Sequence, residues 1–135
     1  MAPVSADQMV GILRNTVVAL VRRAGPDLSA RQLGVFLTCY LEAEAQTVRG
    51  LAAHLNVSKP AITRALDRLS EFDLVRRKSD PLDRRSVLVQ RTPKGNTFLR
   101  DLTKIMADAA LPEAERSRPR RSSRAQLTQS EPTTG

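Results

Sequence analysis

Two adjacent arginines stand directly behind a turn in the run RRKSDPLDRRSVLVQRTPKG, residues 76–95. The turn is predicted at residues 79–81, because proline fixes φ and Ser and Asp side chains hydrogen-bond to nearby backbone. The β-branched residues that follow favour a strand, so the run predicts a β-hairpin with Arg84 and Arg85 at its tip. Such guanidinium groups can enter the minor groove of DNA, and we expect Asp83 to hold one of them bidentately. A solvated loop with incidental ion pairs is the alternative.

A second basic segment precedes this hairpin and is predicted to form a helix over residues 58–72. Ser58 is a suitable N-cap, and Pro60 falls in the first turn, where its missing N–H costs no hydrogen bond. The face opposite the apolar stripe is rich in Lys, Arg and Thr, which can contact bases and phosphates in a major groove. A solvated amphipathic helix is the alternative. In the helix and the hairpin together, the predicted DNA contacts are Ser58, Lys59, Pro60, Ala61, Thr63, Arg64, Arg68, Asp83, Arg84 and Arg85.

Nothing in the residue pattern indicates catalysis or a metal site. The chain has one His and one Cys, too few for a zinc cluster, and it lacks a Gly-rich phosphate loop and a nucleophile motif. We therefore predict no catalytic residue, no metal and no cofactor. His54 is expected to be exposed, with a pH-sensitive phosphate contact as the alternative. Cys39 is expected to pack in an apolar helix, with a peroxide-sensing thiol as the alternative.

The distribution of charge points to a polyanionic partner. The 135 residues carry a net charge of +8, and residues 59–94 contain ten basic and five acidic residues. Most of the excess charge therefore lies in the basic helix and the hairpin, as expected for a nucleic-acid interface. A single Cys, no signal-peptide pattern and no apolar stretch of bilayer length lead us to expect a soluble, cytoplasmic protein.

Four further helices are predicted to position the basic segments, over residues 6–23, 29–43, 48–55 and 93–110. The second is apolar on two faces, which is typical of a central helix, and the third should form a helix-turn-helix with the basic helix. The first and last carry broad apolar stripes, which we expect to pair in a homodimer. The predicted fold is mainly α with a small β-hairpin (α+β), a winged helix-turn-helix with N- and C-terminal dimerisation helices. The predicted divisions are a dimerisation helix at 1–27, the DNA-binding domain at 28–91, a second dimerisation helix at 92–111 and a disordered basic tail at 112–135.

The chain resembles the MarR family of winged helix-turn-helix transcriptional regulators in GLAAHLNVSKPAITRALDRLSEFDLVRR and DPLDRRSVLVQRTPKG. The resemblance implies a repressor that binds a palindromic double-stranded operator as a homodimer, with release by a small ligand as an option. It assigns the recognition helix to residues 58–68, the minor-groove contact to Arg85 and the positioning of that contact to Asp83. Asp73 and Arg91 stand where the family usually has Gly and Leu. An effector pocket would be lined by Leu13, Val17, Phe36 and Tyr40, although these residues also suit an ordinary core.

One competing function remains open on the sequence alone. A winged helix-turn-helix can act as a protein-interaction module, with the basic helix bound to an acidic partner. DNA binding through several phosphates would give a steep dependence of the binding constant on salt, together with a large preference for specific over nonspecific duplex.

Overall fold

The computed structural model describes residues 3–116, in which five α-helices and one hairpin follow the predicted order. The predicted fold class, mainly α with a two-stranded antiparallel hairpin, is confirmed. No helix in the described part of the chain is long and apolar enough to cross a membrane. The elements are α1 (Ala6–Arg22), α2 (Ala30–Leu41), α3 (Val48–Leu55), α4 (Lys59–Glu71), β1 (Val75–Asp80), β2 (Asp83–Arg91) and α5 (Pro93–Ala109).

A short 3₁₀ turn, Glu113–Glu115, follows α5 at the start of the segment that was predicted to be disordered. The Glu115 N–H donates to the Pro112 carbonyl at 2.8 Å, so regular backbone continues beyond the predicted boundary at residue 112. The rest of the predicted tail, residues 117–135, lies outside the described residues.

The predicted N-caps fix where the helices begin. Ser5 and Ser29 each form a capping box, in which the serine hydroxyl accepts from the third helical N–H and the side-chain oxygen of a Gln accepts from the serine N–H. Thr47, Ser58 and Thr92 cap the later helices through their hydroxyl oxygens. These local hydrogen bonds explain why the helix starts follow from short stretches of sequence.

The core lies around α2, as its two apolar faces predicted. Phe36 is fully buried, with its ring stacked on Tyr40 at 4.3 Å and edge-on to Phe98 at 5.1 Å between ring centres. The other large core residues are Val35, Leu51, Ile62, Leu66, Leu69, Leu74 and Val75. Apart from Val35 in α2 itself, these residues come from α3, α4 and the segment that enters β1, so the core holds the helix-turn-helix and the hairpin against one central helix.

Tyr40 also joins three elements through its hydroxyl group. The hydroxyl donates to the Leu74 carbonyl at 2.6 Å and accepts from the Thr92 N–H at 2.9 Å. The Thr92 hydroxyl in turn donates to the Asp73 carbonyl at 2.6 Å and accepts from the Gly95 N–H at 2.9 Å. The buried phenol therefore ties α2 to the base of the hairpin and to the first turn of α5.

α1 packs against α5 and leaves most of its apolar stripe exposed. Arg23 anchors the end of α1 through a 3.2 Å ion pair with Asp101 and lies over the Phe98 ring. The exposed apolar residues on this pair of helices are Met9, Val10, Leu13, Val17, Val18, Val21 and Met106. Contiguous apolar surface of this kind is typical of an interaction face.

Candidate nucleic-acid interface

The turn between α3 and α4 aims the basic helix outward. Asn56 closes α3 in the left-handed conformation, with φ 56°, which Asn adopts more readily than most residues. The Val57 N–H donates to the Ala52 carbonyl at 3.0 Å, and Ser58 then caps α4. Ile62, Leu66 and the rest of the buried stripe hold α4 on the core, so its opposite face projects into solvent.

Most of the predicted contacts on α4 lie on that exposed face. Lys59, Thr63 and Arg64 are exposed, and the structure gives their side chains no hydrogen bond or ion pair within residues 3–116. Arg68 pairs with Glu71 at 2.9 Å and lies 4.6 Å from the Phe72 ring centre, so it is held at the C-terminal end of the helix. Ser58 and Pro60 are exposed at the N-terminal end.

Ala61 is the exception among the predicted contacts on α4. Its side chain is only 5% exposed, because position 61 falls on the buried stripe together with Ala65 and Leu69. The structure therefore does not place the Ala61 side chain on the exposed face with the other predicted contacts. Its N–H donates to the Ser58 hydroxyl at 3.2 Å and completes the helix cap instead.

β1 and β2 form the wing, whose tip is shaped by two aspartates. Asp80 accepts from the Leu82 N–H at 2.9 Å, and Asp80 pairs across the turn with Asp83. The turn thus lies at Pro81-Leu82, shifted from the predicted 79–81. Asp83 accepts from the Arg85 N–H at 3.0 Å and makes no ion pair with a neighbouring guanidinium in the described structure. Asp83 therefore fixes the backbone of Arg85, which corrects the predicted bidentate contact with its side chain.

The wing is attached to the helix-turn-helix at two places. The Val89 N–H donates to the Gln46 carbonyl at 2.9 Å just before α3. Arg77 forms a 2.6 Å ion pair with Asp67 on the exposed side of α4. Arg84 and Arg85 lie beyond both attachments, exposed near the tip. These contacts set the angle between the wing and α4.

A groove of about 280 Å³ runs between α3, α4 and the wing. Four of its lining residues are cationic, and Asp83 is the one acidic residue among them. The lining residues are Thr47, Val48, Arg49, Lys59, Thr63, Arg77, Asp83, Arg85, Ser86 and Val87. A concave surface with this charge attracts a phosphate backbone. Lys59, Thr63 and Arg85, which are among the predicted DNA contacts, line this groove, as do Arg49 and Arg77, which were not among them.

The four residues predicted to line an effector pocket lie in two different environments within the chain. Phe36 and Tyr40 are buried in the core, whereas Leu13 and Val17 are 62% and 47% exposed on α1. α1 packs chiefly against α5 rather than against α2. The Tyr40 hydroxyl, the polar group expected to recognise a ligand, is already hydrogen-bonded to backbone on both sides.

Cys39 and His54 are the residues for which a sensing role is the alternative prediction, and the structure buries the first and exposes the second. Cys39 is buried, and desolvation raises the pKa of its thiol to about 11, with the nearby Arg91 charge acting in the opposite direction. A thiol with such a high pKa is a poor nucleophile at neutral pH. His54 is exposed, as predicted. Residues 3–116 bring together no cluster of three His, Cys, Asp or Glu side chains suited to a metal.

Asp73 and Arg91 are the two residues that depart from the usual family residues, and the structure shows the conformation of the first and the contacts of the second. Asp73 adopts φ 55°, the left-handed conformation in which Gly has no steric cost. Arg91 donates from Nε to the Cys39 carbonyl at 3.0 Å and from Nη2 to the Glu42 carbonyl at 2.5 Å. It therefore caps the end of α2, where the helix lacks a basic residue of its own.

Comparison with known proteins supports this architecture. The chain is similar to the transcriptional regulator Tm0710 from Thermotoga maritima, with 20% identity and a TM-score of 0.65 over 76% of this chain and 69% of that one. It is similar to MepR of S. aureus, solved in a DNA complex, with 18% identity and a TM-score of 0.62 over 92% and 90%. It is also similar to MarR, with 25% identity and a TM-score of 0.59 over 91% of both chains. No curated protein matches the sequence.

The family match falls on the elements that build the groove. The MarR family model matches residues 28–87, from the start of α2 into β2. That span contains the helix-turn-helix, the Asp67–Arg77 ion pair and the Asp-Pro-Leu-Asp-Arg-Arg tip of the wing. On the matched sequence and the shared fold, residues 28–87 are similar to the MarR family and form a winged helix-turn-helix.

Proposed function

We propose that this protein is a transcriptional regulator that binds double-stranded DNA in a sequence-specific manner. The observation that carries the proposal is the cationic groove between α4 and the wing, which combines an exposed helix face with an arginine-bearing hairpin. MarR-family proteins are regulators rather than enzymes, and one structural relative, MepR, was solved bound to DNA.

In the proposed complex, α4 lies in the major groove and the wing reaches the adjacent minor groove. Arg64 is exposed on the α4 face that would meet base edges, where Arg can bond guanine in a bidentate manner. Lys59, in the first turn of α4, is placed for a phosphate. Arg85 supplies the minor-groove contact, with its backbone held by Asp83. Arg49 and Arg77 add positive charge on the walls of the groove.

A homodimer built from α1 and α5 completes the proposal. The exposed apolar stripe on these helices would be covered by a second copy, and two-fold symmetry would match a palindromic operator. Repression, with release by a small ligand, is the mode of regulation that the family resemblance implies. A pocket lined by Leu13, Val17, Phe36 and Tyr40 stays a prediction, in which the first two residues are exposed on α1 and the last two are buried in the core.

Selection of bound fragments from the source genome, followed by titration at several salt concentrations, tests the proposal. We expect the logarithm of the binding constant to fall steeply with the logarithm of salt concentration, and an operator to bind at least about a thousandfold better than unrelated duplex. Equal affinity for all duplexes, or tighter binding of an acidic protein, would favour the protein-interaction module instead.

Three truncations separate the proposed contacts. Arg64→Ala should relax preference at one or two base pairs, whereas Lys59→Ala should weaken all duplexes alike and lower the salt slope by about one. Arg85→Ala should reduce preference for A·T-rich flanks, because the minor groove reports A·T content and width. Arg31→Ala on α2 removes an exposed arginine outside both the groove and the proposed dimer helices and is the matched control, with unchanged operator affinity expected.

A further inference from the structure

The apex of the wing carries a leucine that its own chain leaves almost wholly in solvent. Leu82 is 95% exposed, more than any other large apolar residue in the described structure. Exposed apolar residues on α1 and α5 belong to a broad continuous stripe, whereas Leu82 stands apart from that surface, between Pro81 and Asp83.

The turn holds this leucine in a fixed position. Proline restricts the backbone at position 81, and Asp80 accepts from the Leu82 N–H at 2.9 Å. On the other side, Asp83 accepts from the Arg85 N–H at 3.0 Å. Both carboxylates at the tip are thus engaged by backbone donors. A partner would therefore meet a preorganised turn, which lowers the entropic cost of burying the leucine.

The charges beside Leu82 indicate the kind of partner. Arg84 and Arg85 follow it within three positions, and both are exposed. A polyanion whose surface also offers an apolar slot satisfies both features, and the minor groove of a DNA duplex is such a surface. Proteins that bind this groove insert Leu, Ile, Phe, Met or Pro side chains between base steps or against the groove walls.

We infer that Leu82 is an apolar wedge that enters the minor groove beside Arg85 and contributes to the choice of operator. The inference rests on the proposed DNA-binding function and adds a second kind of recognition to the wing. Arg85 senses the negative potential of a narrow groove, whereas Leu82 favours steps that unstack or widen at low energetic cost, such as TA and CA/TG. The flanking sequence would then be read partly through deformability.

Leu82→Ala tests the inference on an operator selected with the full-length protein. Full burial of a leucine corresponds to roughly ten- to a hundredfold in a binding constant, so partial burial in a groove predicts a loss of about five- to thirtyfold. The salt slope should stay unchanged, because an apolar contact releases no counterions, whereas Arg85→Ala should lower it by about one. Leu41→Ala, at an exposed leucine outside the groove, should leave affinity unchanged.

A second variant, Leu82→Lys, combines the loss of an apolar contact with the gain of a positive charge at the same position. Leu82→Lys adds a positive charge, so a purely electrostatic tip predicts tighter binding and a steeper salt slope. A wedge predicts weaker binding and a smaller fluorescence change for 2-aminopurine placed at the contacted step. The melting temperature of both variants should match that of the unmodified protein, since the side chain contacts almost nothing in the fold.

The outcomes separate this inference from the function on which it rests. Unchanged affinity for Leu82→Ala, or a loss accompanied by a lower salt slope, would overturn the wedge. Tighter binding by Leu82→Lys would overturn it as well. If the unmodified protein shows no preference for any duplex, the proposed function itself fails, whatever the Leu82 variants do.

Discussion

Gly95 is expected to tolerate no side chain, although it lies inside an α-helix. A Cβ built at this position would overlap the Tyr40 hydroxyl and lie 2.5 Å from the Leu74 carbonyl oxygen. Neither neighbour can easily move. The Tyr40 ring is stacked on Phe36 and its hydroxyl is hydrogen-bonded on both sides, while the Leu74 oxygen belongs to the backbone that leads into β1.

The size of the effect of Gly95→Ala follows from the contacts that must break. Overpacking of a rigid core site costs about 1–3 kcal/mol. If Tyr40 withdraws, the buried Thr92 N–H and Leu74 carbonyl lose their partner, at about 1–3 kcal/mol for an unsatisfied group. The helix propensity of Ala returns up to about 1 kcal/mol. We therefore expect the free energy of unfolding to fall by about 1–5 kcal/mol.

Urea denaturation followed by far-ultraviolet circular dichroism, at one fixed protein concentration, measures this loss. Gly34→Ala is the matched control, because its Cβ would meet only Leu55 Cδ2 at an ordinary 3.4 Å. The control should be unchanged or more stable by up to about 1 kcal/mol. In a Tyr40→Phe background, Gly95→Ala should cost less, since the hydroxyl overlap is gone. A Gly95→Ala protein as stable as the parent would refute the proposed packing.

Three further predictions follow from individual contacts. Arg91→Ala should lower the free energy of unfolding by about 1 kcal/mol, because the carbonyls of Cys39 and Glu42 lose their cap, and urea denaturation would detect it. Asp73→Gly should raise it by about 0.5–1 kcal/mol, since Gly carries no steric cost at φ 55° and the lost Asp73–Arg76 pair is exposed and contributes little. Cys39 should react with a thiol reagent at neutral pH only after denaturation. Because its pKa is raised from 9.0 to about 11 in the fold, the thiol contribution to stability is complete below pH 9 and is lost as pH rises through 11. A Cys39→Ala protein should therefore lose less stability over that interval.

The parts of the fold that sequence predicts well are those whose cause is local. The helix starts followed from Ser and Thr caps, as at Ser5 and Ser29, where the structure adds a Gln that completes a capping box. The predicted end of α2 at residue 43 was wrong, since the helix stops at Leu41. The group that satisfies its last carbonyls is Arg91, which arrives from the wing about fifty positions later in the chain. No local pattern around α2 contains that information.

Some features of the candidate site are likewise determined by neighbouring residues, whereas others depend on residues that are distant in the sequence. The exposed face of α4 was predictable from helical periodicity, although Ala61 was assigned to the wrong side of the stripe boundary. The role of Asp83 was also local, since an aspartate commonly accepts a hydrogen bond from the backbone two residues ahead. The Asp67–Arg77 ion pair and the placement of Arg49 depend on how the wing folds back on the helices. The sequence shows which residues are charged but does not show which groups they contact in the fold.

The segment from Asp80 to Gly95 contains two sets of residues with separate physical roles. Asp80 and Asp83 shape an exposed tip, and a change there alters the surface that a partner meets with little effect on the core. Thr92 and Gly95 are buried and form the socket for the Tyr40 hydroxyl, so a change there alters the stability of the junction between the wing and α5. Loss of DNA binding after substitution at Gly95 would therefore be accompanied by a lower free energy of unfolding. Loss after substitution at the tip would leave that free energy intact, and this difference assigns each residue of the segment to folding or to recognition.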